Sequence, residues 1–97
     1  MFIVCVTFRI IAGQMAAFMP LMTQQATNSI TLEPGCCRFD ICHGGADADE
    51  VFLYEIYRDA AAFQAHLDST HFKTFDTAVA PMIQSKEVKT YSAVTSG

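Results

Sequence analysis

Positive charge is scarce in this sequence. Lysine and arginine number 6 against 10 aspartates and glutamates, for a formal net charge of -4 and a pI near 5.1. A chain so acidic repels phosphate backbones, which argues against a nucleic-acid partner. Long apolar runs are missing too, and no stretch reaches the ~18–20 consecutive apolar residues of a membrane span. Phe2 to Val6 is apolar, but neither a basic region nor a cleavage site accompanies it, so it does not read as a signal peptide. No C-x-x-C spacing occurs among Cys5, Cys36, Cys37 and Cys42, and adjacent Cys36 and Cys37 cannot easily share one disulfide. A zinc site or redox motif is therefore unsupported, and free thiols in a reducing cytoplasm are expected. Repeats and linkers are also lacking, which leaves residues 1–97 as one domain.

Apolar residues are plentiful by contrast. The hydrophobic fraction is 52% against 16% charged. A domain of this size buries only roughly 60–65% of its unfolded surface on its own. The excess needs a second place to go: a ligand pocket, a dimer interface, or both.

Hydrophobic periodicity divides the chain. Phe2 to Ile11 alternates and is apolar on both faces, the pattern of a central strand covered twice. Gln14 to about Ile30 places Met15, Phe18, Met22 and Ala26 on one helical stripe, with Pro20 predicted to kink or shorten the helix. Glu33-Pro34-Gly35 is a turn. Cys36 to Cys42 follows as a strand, with Cys37, Phe39 and Ile41 on one side, and His43 to Glu50 as a solvated acidic loop. Val51 to Tyr57 is a third strand, apolar on both faces apart from Glu55. Asp59 caps a helix over Ala60 to Asp68 with Ala60, Phe63 and Leu67 inward; Ser69 or Thr70 caps a second, His71 to about Ala80. Ser85 to Val94 forms the last strand.

The order β-α-β-β-α-β, with the second helix broken in two, is the α+β ferredoxin-like plan: an antiparallel four-stranded sheet with helices on one face. Helices cover only one side of that sheet. The other side of strands one and three needs an apolar partner, and a second copy of the same sheet supplies it, predicting a face-to-face homodimer.

Proton-handling groups concentrate at the junction between the third strand and the following helices. His66 lies near the inner edge of its helix and reads either as a general base or as a buried, hydrogen-bonded structural histidine. His71 is five residues on, about 140° round a continuous helix, so only the break at Ser69-Thr70 brings both rings to one pocket. At a helix start, where the dipole disfavours positive charge, capping or packing is the favoured role for His71. Glu55 shares a face with Leu53 and Tyr57, and a carboxylate there must be protonated or paired, Arg38 or Arg9 being the candidates. Tyr57 either orients a substrate oxygen or packs in the core with its hydroxyl reaching water. Phe39 and Phe63 are candidate ring contacts for a ligand. Asn28 either reaches the pocket mouth or helps to end the first helix.

Four blocks carry a resemblance: Glu33-Pro-Gly-Cys-Cys-Arg-Phe-Asp, Leu53-Tyr-Glu-Ile-Tyr-Arg-Asp, Ala61-Ala-Phe-Gln-Ala-His-Leu and Thr70-His-Phe-Lys. In this order and spacing they resemble the antibiotic biosynthesis monooxygenase domain family across nearly the whole chain. The resemblance implies a dimeric α+β barrel with a sheet–helix pocket in each protomer, no metal and no cofactor. Where some polyketide monooxygenases of the family carry an Asn and a Trp, this chain has Leu53 and Tyr57. The position resembling the iron-ligating His of haem-degrading members is Asp76, which argues against haem degradation. His66 and His71 resemble instead the quinol monooxygenase and isomerase branches.

The expectation is a cofactor-free monooxygenase of a small electron-rich phenol or hydroquinone, with His66 as base and Tyr57 beside it as catalytic residues. Glu55, Phe39, Phe63, Asn28 and His71 would contact the substrate. An isomerase or proton shuttle on a small oxygenated metabolite, and a non-catalytic dimeric binder of a small aromatic ligand, stand as alternatives.

Overall fold

Residues 1–97 are described by a computed structural model. The chain runs β1 (Phe2–Ile10), α1 (Met15–Leu32), β2 (Cys36–Cys42), β3 (Glu50–Tyr57), α2 (Ala60–Asp68), α3 (Thr70–Val79), a 3-10 turn (Ala80–Met82) and β4 (Ile83–Tyr91). All pairings are antiparallel and the strand order is β2-β3-β1-β4, the α+β ferredoxin-like plan. The two strands read as apolar on both faces, β1 and β3, are the two central ones. Period-2 alternation sends Val4, Val6 and Phe8 of β1 and Val51, Leu53 and Tyr57 of β3 to the side where Phe18 and Met22 of α1 pack. Ile3, Phe52, Tyr54 and Ile56 point the other way, the last three half-buried.

Pro20 neither stops nor shortens α1, which continues to Leu32. Its missing N–H would have met the carbonyl of Ala16, and both residues lie on the exposed side of the helix, where that oxygen is open to solvent. The expected stripe holds, with Phe18, Met22 and Ala26 buried and Met15 packed partly buried against the core, and it also takes in two polar residues, Gln25 and Ser29. Ser29 Oγ satisfies itself by donating to the Gln25 carbonyl at 2.8 Å.

Three boundaries and faces depart from the sequence expectation. In β2 the register against β3 shifts between Cys36 and Arg38, a bulge that sets Cys37 outside the ladder. Cys36 and Phe39 therefore take the buried side and Cys37 is exposed. In α2 Ala60 is exposed, while Ala62, Phe63 and His66 turn inward. β4 starts at Ile83 and ends at Tyr91 instead of spanning Ser85 to Val94, and as an edge strand it stays largely exposed. The helix break is as read: Asp59 accepts from the Ala62 N–H at 2.8 Å to start α2. Ser69 Oγ accepts from the Phe72 N–H at 3.2 Å and donates to the His66 carbonyl at 2.7 Å, closing one helix and opening the next. No helix is long and apolar enough to cross a membrane.

All four cysteines are free: Cys36 is buried, Cys5 half-buried, and Cys37 and Cys42 are exposed. Burial, reinforced by Glu33 and Glu55, pushes the Cys36 thiol up to about 12. Timed alkylation read by mass spectrometry is expected to modify Cys37 and Cys42 first and Cys36 roughly 10²-fold or more slowly, since the thiolate is the reacting form. Equal rates at Cys36 and Cys37 would contradict the bulge.

Candidate active site

Strand alternation builds the floor of the site. Glu55 and Leu53 of β3 stand beside Val4 and Val6 of β1, with Phe39 of β2 opposite Glu55. Phe63, His66 and Leu67 of α2 and Phe72 and Phe75 of α3 form the roof, and Lys86 and Val88 of β4 stand at the rim. Val88 is 46% exposed although it faces inward, because no helix lies over β4, and the cavity opens there. The cavity offers about 50 Å³ to a water-sized molecule and holds about 420 Å³ of empty space with its open mouth included. Of 15 lining residues 11 are hydrophobic, so charge inside the cavity is poorly solvated.

Glu55 is buried, and neither expected arginine reaches it. Arg38 pairs with Asp40 at 2.5 Å and Arg9 pairs with Asp47, both on the sheet face away from the helices. Instead the Tyr57 hydroxyl donates to Glu55 Oε1 at 2.5 Å. Burial pushes Glu55 up to about 7, with the tyrosine bond and Lys86 holding it lower than burial alone would. Burial and the adjacent carboxylate raise Tyr57 well above the usual phenol range. Tyr57 is 0% exposed and its one hydroxyl hydrogen is committed to Glu55, so it neither reaches water nor orients a ligand directly. Its place is behind Glu55, outside the cavity lining.

His66 is the most deeply buried histidine of the pair and lies among rings: Phe72 at 4.9 Å, Tyr57 at 5.3 Å and Phe63 at 6.1 Å between centroids. Its Nδ1 sits 2.9 Å and 3.2 Å from the two oxygens of Glu33. A carboxylate only accepts, so Nδ1 carries the hydrogen and Nε2 is the free acceptor of a ring that lines the cavity. Burial pulls the His66 imidazole down to about 4, and Lys86 acts in the same direction. Glu33 draws the other way, toward imidazolium; because burial raises Glu33 itself, the downward direction stands and the ring is neutral at pH 7.

His71 also meets Glu33, with Nε2 at 2.7 Å from Oε2, while its Nδ1 lies 3.2 Å from Gln25 Oε1. The Nε2 contact is close but off the N–H axis, so it is an electrostatic approach without a formed hydrogen bond. His71 caps nothing; Ser69 does that. The break at Ser69 lets both histidines converge, with ring centroids 6.1 Å apart, yet only His66 lines the inner cavity. Asn28 accepts from Gln24 Nε2 at 2.9 Å on the outer side of α1, which runs on past it, so it neither reaches the cavity nor ends the helix.

Sequence reasoning missed Glu33, Gln25 and Lys86. Glu33 was read as part of a turn, and its one signal was its presence in a family-like block directly after a helix. Gln25 was hidden between apolar stripe positions, and Lys86 on an edge strand looked like surface. Lys86 Nζ lies 5.6 Å from the Phe8 ring centroid and 5.7 Å from that of Phe72, so it holds the rim as the cavity's one cation.

Comparison with known proteins agrees with this architecture. The protein-family model described as "Antibiotic biosynthesis monooxygenase" matches residues 1–78. A structure described as "Putative antibiotic biosynthesis monooxygenase from Nitrosomonas europaea" is 26% identical with a TM-score of 0.91, covering 98% of this chain and 100% of that one. A Mycobacterium tuberculosis protein is 23% identical (TM-score 0.88, 98% of this chain and 96% of that one). One from Pseudomonas aeruginosa is 20% identical (TM-score 0.88, 97% and 94%); these two show the fold alone. No curated protein sequence matches significantly. With the family model matching residues 1–78 of 97, the chain belongs to the antibiotic biosynthesis monooxygenase family.

Proposed function

We propose that this protein is a cofactor-independent monooxygenase of small, electron-rich aromatics of the hydroquinone or phenol type, working in the sheet–helix cavity. The observation that carries this reading is a neutral His66 whose Nδ1–H is held by Glu33 while Nε2 is left to an apolar, aromatic-walled cavity. Nε2 takes a phenolic proton, and Glu33 stabilises the imidazolium that forms, the role a carboxylate plays behind a catalytic histidine. The phenolate then reduces dioxygen. One oxygen bonds to ring carbon and the other leaves as water, with all four electrons coming from the substrate, so a hydroquinone yields a hydroxyquinone. Glu55, near half-protonated at neutral pH, supplies a proton to the departing oxygen. Phe39 and Phe63 place the ring, and exclusion of water keeps the anion reactive. A ring fits only if the roof side chains Phe72 and Phe75 and Val88 at the rim swing outward, since 50 Å³ is smaller than a benzene site.

A proton shuttle is favoured by one observation: His66 and Glu55, at about 4 and about 7, flank the same cavity. Oxygen uptake with a hydroquinone panel supports the monooxygenase; deuterium exchange into a bound ketone without oxygen uptake supports the shuttle.

The same reading makes the protein a homodimer through the sheet face carrying Phe52, Tyr54 and Ile56, which the helices leave uncovered. Only 19 of 97 residues are buried, and Val88, Tyr91 and Val94 are 40–50% exposed, so the chain alone leaves much apolar surface in water. Its free thiols suit a reducing cytoplasm.

His66→Ala is expected to cut turnover by ~10²–10⁴-fold with the fold retained; melting temperature and turnover on one sample separate this from a structural histidine, which would lose stability and keep turnover per folded molecule. Because the base must be unprotonated and Glu55 protonated, kcat/KM is expected to rise as pH climbs through about 4 and to fall as it climbs through about 7. A rise centred near 7 would transfer the base role to Glu55. For the dimer, sedimentation at micromolar concentration should show twice the 10.7 kDa chain mass. Phe52→Lys should give monomer or insoluble protein, and a stable wild-type monomer would remove the dimer.

A further inference from the structure

Glu33 holds two histidines, and only one of them faces the cavity. The other opens elsewhere. His71, Gln25, Asn28 and Thr74 line a groove of about 250 Å³ on the outer side of α1 and α3. His66 is 4% exposed in its side chain, Glu33 13% and His71 15%, so exposure grows along the line from cavity to groove. The links are short: His66 Nδ1 to Glu33 Oε2 2.9 Å, Glu33 Oε2 to His71 Nε2 2.7 Å, and His71 Nδ1 to Gln25 Oε1 3.2 Å. The rings of Phe39, Phe63 and Phe72 pack around His66, within 6.2 Å between centroids.

The hydrogen count along the line is constrained. Gln25 Oε1 accepts, so His71 Nδ1 carries a hydrogen. His71 Nε2 stands 2.7 Å from Glu33 Oε2 without an aligned hydrogen bond and has no other partner; a small ring rotation aligns the two.

We propose that His71 and Glu33 form a proton port, through which His66 exchanges its proton with the outer groove while the cavity mouth is closed. The port rests on the reading of His66 as the base. When Nε2 takes the substrate proton, the Nδ1 proton passes to Glu33, Glu33 hands it on to His71 Nε2, and the His71 Nδ1 proton leaves to groove water. The same steps reversed return a proton when the O–O bond breaks. Over one turnover both hydrogens lost by the hydroquinone end in water, so the net flow is zero and the port governs when protons move. His71 acts through Glu33 and His66, and is a positioning residue.

The test needs no substrate, so it stands even if the oxygenase reading fails. In ¹⁵N-labelled protein at neutral pH, NMR measures the exchange rate of the His66 Nδ1 hydrogen with water. His71→Gln is expected to slow that exchange by at least ~10-fold, below the usual contribution of one acid–base group. Free imidazole added to His71→Gly should restore part of the rate, which a packing role would not predict. An unchanged rate in folded His71→Gln means the proton leaves through Glu33 directly and overturns the port. If His71→Gln does not fold, Gln25→Met, which removes the acceptor at Nδ1 and leaves the imidazole, should slow the same signal; no change there overturns the proposal equally.

Discussion

The carboxylate of Glu33 is the contact on which the rest of the site depends. It ends α1, with its own N–H bonded to the Ser29 carbonyl at 3.2 Å, and it receives the faces of α2 and α3 through His66 and His71. Deprived of it, the Nδ1–H of His66 would be a buried donor without an acceptor, a cost of roughly 1–3 kcal/mol. Its reach is made possible by Gly35. A Cβ there would stand 2.5 Å from the Ala62 Cβ, so only glycine lets the turn press this closely on α2. The Arg58 N–H then bonds the Gly35 carbonyl at 2.8 Å, latching the α1–β2 turn to the corner that follows β3.

Around that latch, burial rather than charge pairing sets the protonation states. Glu55 is pushed up and His66 is pulled down, each toward its neutral form. Both shifts come mainly from desolvation. The result is a cavity whose two inner titrating groups are both driven toward their neutral forms, with one unshared imidazole lone pair within it. Lys86 contributes at the rim, where 34% of its side chain remains exposed and Asp76 stands 3.9 Å away. That position leaves its ammonium solvated while its field reaches both titrating groups.

The two central strands, the α2–α3 break and its Ser69 cap were legible because each follows from periodicity or capping within a few residues. The misses share a different cause. The bulge at Cys37 is a pairing event between β2 and β3, and a strand read alone shows no sign that its period slips. Pro20 looked disruptive because its cost depends on whether the orphaned carbonyl meets water, which is a tertiary fact. The partner of Glu55 was sought among arginines that alternation in fact sends to the opposite face, and a tyrosine two residues away was overlooked. His66 was visible as a candidate, but the residue that aligns it lies 33 positions earlier in a turn.

These distances in sequence bear on how the family's fold accommodates different chemistry. The sheet supplies walls, and its register determines only which side chains look inward. On β3, Leu53 faces the cavity as a plain apolar surface and Tyr57 is spent on Glu55, so that strand offers this chain little beyond one carboxyl. The proton chemistry has instead been gathered on the helical side, where His66 and His71 are brought together only because Ser69 interrupts what would otherwise be one helix with the rings about 140° apart. A continuous helix would leave one histidine in water. The break therefore does for the site what Gly35 does for Glu33: a local backbone choice, made outside the cavity, decides which side chain reaches into it.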